Sequence, residues 1–390
     1  MLKAEFYGIN RSLVPHSVGF FYGKTEEKMR KIITSESVNS GHPDKTCDII
    51  ADAFLDAALA QDENAQMAVE CAIKNDKLFI YGESTTTAKI DYENIARKVL
   101  KEIGYENEFQ ITKEISLQSP DISQAVKKQE LMANDQGMVY GYASSETKEL
   151  MPLPIMIAHK LMRKYDEFRR KTDCYFADAK SQVSVEYDGE KPVEIKTIVI
   201  SVSHSENLSR ETIVNDIKSN VVDEVLQDYS EYNLGNIEYI INPSGKFTIW
   251  GSFGDSGCVG RKIVVDTYGG VGRVGGGCFS SKNATKVDRS GAYYARFVAK
   301  NIVAHGLADK CEIQASFAIG LAEPVSLAIE TFGTNKVPEE EIYEFVNKNF
   351  SFRLQNIIDE LGLLKVNYKN TACFGHFGNN EFPWEQIKNV

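Results

Sequence analysis

A histidine, an aspartate and a lysine stand together where a helix is predicted to begin. Residues 41–45 read Gly-His-Pro-Asp-Lys, and Pro43 is typical of a first helical position. Backbone amides and the helix dipole attract anions there, and His42 and Lys45 add to that attraction. Asp44 would repel a phosphate unless a cation lay between them, so the group favours a metal–phosphate pair containing Mg²⁺. Plain capping of the helix by Asp44 is the alternative.

Two glycine-rich segments, residues 254–262 and 275–282, carry further charges. Glycine lets a backbone approach a ligand closely, and Arg261 and Lys262 end the first segment. We expect a strand over Lys262–Asp266. The cations of this region are Arg261, Lys262, Lys282, Lys286 and Arg289. Converging charges of this kind would stabilise a polyphosphate, whereas ordinary surface lysines beside a flexible loop are the alternative.

Neither segment is a standard nucleotide-binding motif. The first is not a Walker loop, because its glycine spacing differs and no Ser or Thr follows Lys262. Residues 270–275 match Gly-x-Gly-x-x-Gly literally, but further glycines follow where a helix should begin. A dinucleotide site is therefore not expected.

Four aspartates recur at every fourth position of the first predicted helix. They are Asp44, Asp48, Asp52 and Asp56. Like charges at this spacing repel each other by about 0.2–0.5 kcal/mol per pair. For the last three we predict a solvated helix face.

Composition excludes several classes of protein. The 390 residues include 44 Lys and Arg against 55 Asp and Glu, and the net charge of -11 disfavours binding to nucleic acid. No apolar run approaches the ~20 residues that a membrane helix needs. The seven cysteines form no Cys-x-x-Cys pair, which is typical of reduced thiols in a cytoplasmic protein. Residues 1–28 are predicted to be an N-terminal appendage without a secretory signal.

The order helix–hairpin–helix is predicted three times along the chain. Periodicity places helices over residues 43–60, 91–103, 154–170, 209–227, 288–305 and 338–349. Hairpin strands are placed over residues 67–70 with 77–81, 181–187 with 193–202, and 312–320 with 325–332. This repetition indicates a triplicated α+β protein with antiparallel sheets, although chance order is the alternative. Residues 118–137 are predicted to be a long loop, either disordered or a lid.

Together these motifs resemble the S-adenosylmethionine synthetases, or methionine adenosyltransferases. The resemblance covers residues 32–385 and is most specific at residues 34–45, 178–183, 254–270 and 286–290. It implies three similar domains of antiparallel sheet and helices about a pseudo-threefold axis. The expected domains are N-terminal (29–130), central (131–250) and C-terminal (251–390), with strands free to interleave between them.

The resemblance implies a reaction between ATP and L-methionine that gives S-adenosylmethionine, followed by hydrolysis of tripolyphosphate to phosphate and pyrophosphate. The methionine sulfur is already nucleophilic, so the transfer needs no general base. It needs in-line alignment with ribose C5′ and stabilisation of charge on the leaving oxygen. A sequence with many cations and no catalytic triad is suited to these needs.

The resemblance also implies a role for each matching position. The catalytic groups at the polyphosphate would be His42, Lys180, Arg261, Lys262 and Lys282, and Arg261 would also serve the hydrolysis. ATP would be bound by Glu36, His42, Asp178, Lys180, Lys246, Phe247, Asp255, Arg261, Lys262, Cys278 and Lys282. L-methionine would be bound by Glu83, Gln118, Asp255 and Lys286. Asp44 and Asp288 would hold two Mg²⁺ ions per site, and Glu70 would hold K⁺.

Further expectations concern assembly and the gate. The family's active sites lie between two subunits, so the resemblance implies a homodimer or homotetramer. The loop from Gln118 corresponds to a gate that excludes water during transfer, and here it is short. Departures from the family occur at Cys258, Val259, Cys278, Ser281 and Asn283, none of which carries an assigned charge. A generic ATPase or polyphosphatase and a regulatory subunit without turnover are the alternative functions.

Overall fold

The computed structural model describes residues 30–117 and 131–390, so the predicted appendage (1–28) and Gln118 lie outside the described residues. The strands are β1 (Arg30–Val38), β2 (Gln66–Lys74), β3 (Lys77–Thr85), β4 (Gln110–Ser116), β5 (Gly137–Ser144), β6 (Tyr175–Asp188), β7 (Lys191–His204), β8 (Glu238–Ile241), β9 (Gly257–Cys258), β10 (Lys310–Phe317) and β11 (Ser326–Glu330). The described helices of eight residues or more are α1 (Pro43–Leu59), α2 (Tyr92–Ile103), α3 (Leu153–Arg169), α4 (Arg210–Ile217), α5 (Val287–Ala304) and α6 (Glu339–Asn349).

The first sheet has the strand order β1-β6-β7-β8. β1 runs antiparallel to β6, so Glu36 lies opposite Gln182 and Val38 lies opposite Lys180. β6 and β7 form a long hairpin whose turn contains Gly189 at a φ of 61°, which a residue with a side chain rarely adopts. Helix α3 packs on β1 and β6 and buries one face of the sheet.

The second sheet has the strand order β4-β3-β2-β9 and is covered by α1. Its hairpin turns at Asn75, with a φ of 52°, as the Asn-Asp pair in the sequence predicts. β9 (Gly257–Cys258) pairs antiparallel with β2. The first glycine-rich segment therefore forms an edge of this sheet and lies against α1.

The third sheet has the strand order β11-β10-β5, and α5 packs on β5 and β10. Each of the three sheets takes one strand from a chain segment that supplies none of its other strands. β1 joins the sheet of β6 to β8, β5 joins the sheet of β10 and β11, and β9 joins the sheet of β2 to β4. The domain boundaries given above stay a prediction, and the sheets show that the segments exchange strands.

The α+β class with predominantly antiparallel sheets is confirmed, and the predicted hairpins occur in all three sheets. One element prediction is wrong. The β-branched run after Lys262 forms a helical turn, Ile263–Asp266, whose last residue is buried in an ion pair with Lys45, so tertiary contacts outweigh the local strand propensity. The helix predicted over residues 209–227 is confirmed as a continuous helical run that begins at Arg210, and it contains a π-helical turn, Lys218–Val222, between α4 and the short helix Asp223–Leu226.

The solvated face predicted for the aspartates of α1 is also wrong. Asp48 and Asp52 are fully buried, and Asp56 is partly buried. Each binds groups from segments far along the sequence, which spacing on one helix does not reveal. Within residues 30–117 and 131–390, no helix is both long and apolar enough to cross a bilayer.

Candidate active site

His42 is the N-cap of α1, with extended backbone, and its Nδ1 accepts a hydrogen bond of 3.2 Å from the backbone N–H of Asp44. Capping of the helix by Asp44, the alternative considered above, is therefore wrong. Burial and then the charge of Lys262 lower the pKa of His42 to about 4. The ring is neutral at pH 7, and because Nδ1 accepts, its proton lies on Nε2. His42 can thus donate a hydrogen bond to an anion.

Asp44 lies at the centre of the first group of charged residues. Its carboxylate is almost fully buried, with Oδ2 at 2.7 Å from Lys262 Nζ and Oδ1 at 3.4 Å from Arg261 Nε. Oδ1 also accepts a hydrogen bond of 3.0 Å from Cys258 N in β9. This arrangement brings a carboxylate and two cations to the N-terminus of α1, where phosphates bind readily.

Strand β6 adds Asp178 and Lys180 to this first group, since the charge of Lys180 acts on His42 and that of Lys262 acts on Asp178. Lys180 Nζ lies 2.6 Å from Glu36 on β1, and both side chains are partly exposed. Asp178 is buried and accepts a hydrogen bond of 2.9 Å from Gly251 N. Burial raises the pKa of Asp178 to about 7, against the opposing effect of that hydrogen bond.

A second group of charged residues gathers where β2, the second glycine-rich segment and α5 meet. Lys282 forms an ion pair with Asp288 in the first turn of α5. A Cβ at Gly277 would lie 2.1 Å from the Asp288 carboxyl group, so only glycine permits this approach. Burial raises the pKa of Glu70 on β2, and the nearby charge of Lys282 opposes that shift.

Lys286 immediately precedes α5 and is the second cation of this second group. Burial lowers its pKa, and the charge of Lys282 lowers it further. With its amide oriented to satisfy both neighbours, Asn134 accepts a hydrogen bond of 2.8 Å from Lys286 Nζ and donates one of 3.1 Å to Thr285 O. The negative charge of Glu83 opposes this shift and raises the pKa of Lys286. The two residues are both expected at the methionine site.

The two groups could accept Mg²⁺ with help from a substrate. Mg²⁺ is usually held by one or two carboxylates together with phosphate oxygens and waters. Asp44 and Asp288 offer such single carboxylates, each with a lysine beside it. No cluster of three or more His, Cys, Asp or Glu suited to a metal occurs among residues 30–117 and 131–390. The residues therefore fit a metal that arrives with phosphate better than one held in a protein cage.

Three family models match the chain in sequence order. The N-terminal, central and C-terminal domains of S-adenosylmethionine synthetase match residues 30–130, 130–247 and 249–386. The chain belongs to the S-adenosylmethionine synthetase family. The resemblance found from the sequence motifs is confirmed over the whole described fold.

Similar proteins cover almost the full length of this synthetase-family chain. The S-adenosylmethionine synthase of Clostridium botulinum (strain Alaska E43 / Type E3) is 47% identical over an alignment of 386 positions, which covers 93% of this chain and 98% of that protein. The S-adenosylmethionine synthase of Mesoplasma florum (strain ATCC 33453 / NBRC 100688 / NCTC 11704 / L1) is 48% identical over an alignment of 374 positions, which covers 93% of this chain and 99% of that protein.

The structure of this synthetase-family chain divides the predicted site residues into two groups. The first group contains Glu36, His42, Asp44, Asp178, Lys180, Arg261 and Lys262. Asp255 lies near this group, and its negative charge acts to raise the pKa of both His42 and Asp178. The second group contains Glu70, Glu83, Cys278, Lys282, Lys286 and Asp288. In the described part of the chain, no hydrogen bond or ion pair joins the two groups. Gln118 lies outside the described residues.

Arg289 does not belong with the cations that are expected to bind phosphate. It is fully buried, and it forms a bidentate ion pair with Asp52 at 2.9 and 2.6 Å. The expectation that Arg289 is one of the cations converging on a polyphosphate is therefore wrong, because Asp52 neutralises its charge inside the core. Cys278 lies against Gly260, and burial raises the pKa of its thiol to about 11, so it is neutral at pH 7.

Sequence reasoning missed two residues that orient members of the site. His204 Nε2 accepts a hydrogen bond of 3.1 Å from Phe247 N, and His204 N donates one of 3.0 Å to Phe247 O. Lys246 is exposed beside this pair. Asn134 is the other, through its bond to Lys286 described above. No spacing in the sequence connects either residue to its partner.

Proposed function

We propose that this chain is a methionine adenosyltransferase whose two groups of charged residues bind the ATP polyphosphate and L-methionine. Membership of the synthetase family across all three domains carries the proposal. The placement of Lys262, Arg261 and neutral His42 around Asp44 supports it. The product is S-adenosylmethionine, and the bound tripolyphosphate is then hydrolysed to phosphate and pyrophosphate.

The transfer step makes few demands on proton chemistry. The neutral sulfur of methionine attacks ribose C5′ in line with the departing polyphosphate, so no residue has to remove a proton. His42 Nε2–H donates to the polyphosphate near the breaking bond, and Lys180, Arg261 and Lys262 bind its oxygens. Charge that develops on the leaving oxygen meets fixed donors and cations, which lowers the barrier most effectively when they are already in place.

The carboxylates of the site would hold the metals. Asp44 and Asp288 would each take part in binding Mg²⁺, and Glu70 would bind K⁺. Bound Mg²⁺ would neutralise phosphate charge and screen it from the two aspartates. Lys262 and Lys282, which now pair with these aspartates, would then be free to bind phosphate oxygens. Arg261, with a half-exposed side chain, would serve the later hydrolysis.

The remaining assigned residues divide between the two substrates. Glu36, Asp178, Lys246, Phe247 and Cys278 would contact the nucleotide. Glu83, Gln118, Asp255 and Lys286 would contact L-methionine, and Asp255 would serve both pockets. The approach of Lys286 to Glu83 and Asp288 supports its placement beside a charged amino-acid substrate.

The assembly proposed is a homodimer or homotetramer whose active sites lie between subunits. Support comes from the absence of any hydrogen bond or ion pair between the two groups within the described part of one chain. A site formed by the first group of one subunit and the second group of its partner would join the two metal-binding aspartates. All seven cysteines are free thiols, which supports the proposed cytoplasmic location.

The reaction can be tested by supplying ATP, Mg²⁺ and K⁺ with and without L-methionine. Sulfonium product, phosphate and pyrophosphate are measured together. Equal amounts of all three, formed only when L-methionine is present, are expected. Release of phosphate from ATP without L-methionine would instead identify a generic ATPase, and the proposal would be abandoned.

A further inference from the structure

We propose that Asp48 and Asp52 are positioning residues that fix the two glycine-rich segments and thereby aim the phosphate-binding cations. The proposal rests on the proposed function, since it assumes that Arg261, Lys262 and Lys282 bind polyphosphate. It adds two residues that would contact no substrate and would act through the backbone that carries those cations.

The aspartates of α1 form a ladder of backbone hydrogen bonds, one step for each turn of the helix. Asp44 Oδ1 accepts from Cys258 N at 3.0 Å, and Asp48 Oδ1 accepts from Gly260 N at 2.9 Å. Asp52 Oδ1 accepts from Ser281 N at 3.0 Å. Residues four apart lie on one helix face, so both glycine-rich segments are attached along one line.

Asp48 fixes the first segment next to its cations. Gly260 immediately precedes Arg261 and has a φ of 78°, and a Cβ there would meet the Cys278 side chain at 2.6 Å. The other oxygen of Asp48 accepts from Lys45 Nζ at 2.8 Å, and Lys45 is fully buried. The aspartate is therefore held in place from within the core, and its remaining oxygen holds the backbone.

Asp52 fixes the second segment in the same way. Arg289 binds both oxygens of Asp52 and also donates a hydrogen bond of 2.9 Å to Lys282 O. Ser281 has a φ of 77°, in the left-handed region that residues with side chains rarely adopt. Asp52 and Arg289 thus hold the backbone on both sides of the Ser281–Lys282 peptide, and this contact keeps the strained conformation.

The burial of these charges fits a positioning role. Burying a carboxylate costs free energy of folding unless the group is paired with a cation and hydrogen-bonded. Asp48 and Asp52 each have a cationic partner and a hydrogen bond from the backbone. The side chains of Lys262 and Lys282 keep partial exposure while their backbones are anchored nearby. Cations that are fixed before the substrate arrives bind and stabilise it without a further ordering cost.

Asp56 supplies a matched control. It occupies the next position of the same row and accepts hydrogen bonds from Tyr368 N at 2.8 Å and Lys369 N at 2.9 Å. Those amides belong to a C-terminal turn that carries no cation assigned to the site. Loss of Asp56 should therefore lower stability without disturbing Arg261, Lys262 or Lys282.

The test uses the full-length protein and inorganic tripolyphosphate with Mg²⁺ as the probe. Asp48→Asn, Asp52→Asn and Asp56→Asn are compared by calorimetric titration well below their unfolding temperatures, and kcat and KM for ATP are measured alongside. We expect the first two variants to raise the Kd for tripolyphosphate by about tenfold or more and to lower kcat, because mispositioned cations bind less well. We expect Asp56→Asn to change the Kd less than twofold. If Asp48→Asn or Asp52→Asn does not fold, the glutamate variant at that position keeps the charge but displaces the carboxylate, and the same result is expected.

Lys262→Ala and Lys282→Ala separate the two proposals. If these variants bind tripolyphosphate normally, the proposed function of the cations is wrong. If they bind it poorly while Asp48→Asn and Asp52→Asn bind it as Asp56→Asn does, the cations act as proposed and the positioning role is overturned.

Discussion

Lys262 Nζ lies 2.7 Å from Asp44 Oδ2, so a cation assigned to phosphate neutralises a carboxylate assigned to metal. Lys282 and Asp288 form the same kind of pair in the second group. Each pair balances its own charge in the free protein. Under the proposed function, a Mg²⁺–polyphosphate ligand would match both members of a pair at once, and an acidic protein could then bind a polyanion.

Asp44→Asn should separate metal binding from folding. The amide oxygen of asparagine can still accept from Cys258 N, but the NH2 group replaces the oxygen that pairs with Lys262 Nζ, so we expect the fold to be retained with a lower unfolding temperature. Loss of the charge should lower kcat by about 100-fold or more and raise the Mg²⁺ concentration needed for half-maximal rate. Initial rates across a Mg²⁺ titration check both effects. A variant with normal Mg²⁺ dependence would show that Asp44 is not a metal ligand.

Asp178 should make the stability of the protein depend on pH. Its pKa in the folded protein is about 7, whereas the ordinary value is 3.8. The folded state therefore keeps a proton that the unfolded state has lost between these values, and the free energy of unfolding falls as the pH rises from about 4 to 7. The contribution of this group is on the order of 4 kcal/mol.

Asp178→Asn should remove that contribution. Urea unfolding gives the free energy of unfolding at pH 5 and at pH 8. The change between the two pH values is then compared between the wild type and the variant. Asp255 and Lys262 also act on Asp178 and are unchanged in the variant, which makes the comparison specific. Equal pH dependence of the two proteins would contradict the raised pKa.

The local elements could be predicted from sequence because their signals are local. Apolar periodicity places α1 and α5 within one or two residues of their ends, and Asn75 marks a hairpin turn. The run Ile263–Asp266 was the exception, since β-branched residues favour a strand but this segment forms a helical turn.

The partners of the charged residues could not be predicted, because they lie far away in the sequence. The row of aspartates on α1 has the spacing of a solvated face, yet Asp52 binds Arg289 and Asp48 binds Gly260 across more than two hundred residues. Composition identifies Arg289 as one more cation beside a glycine-rich loop. Only the fold shows that Arg289 is buried and paired with Asp52, whereas the side chain of Lys282 stays partly exposed beside Asp288.

Gly277→Ala should damage the site through Asp288. The added methyl group would lie 2.1 Å from the Asp288 carboxyl group, so the ion pair with Lys282 must shift. We expect kcat to fall by about tenfold or more, since small displacements of catalytic groups are costly. Gly276→Ala is the control, because nothing lies within 4 Å of its added methyl group. Equal rates for the two variants would show that the position of Asp288 is not critical.

Lys286→Met should lower turnover while the fold is retained. The side chains are similar in length, and the loss of a cation whose pKa is already lowered by burial costs little stability. The charge beside Glu83 is lost, so we expect a kcat/KM for L-methionine at least 100-fold lower and a smaller change in KM for ATP. Steady-state kinetics with each substrate varied in turn check this. Near-normal kinetics would refute the methionine-site assignment.

Mixing two inactive variants tests whether each active site is shared between subunits. Asp44→Asn damages the first group of residues and Asp288→Asn damages the second. If one site combines the first group of one subunit with the second group of its partner, a mixed dimer contains one doubly damaged site and one intact site. Random exchange of subunits should then restore about a quarter of the wild-type activity. If each site lies within one chain, every site in every dimer keeps one damaged residue, and mixing should restore no activity.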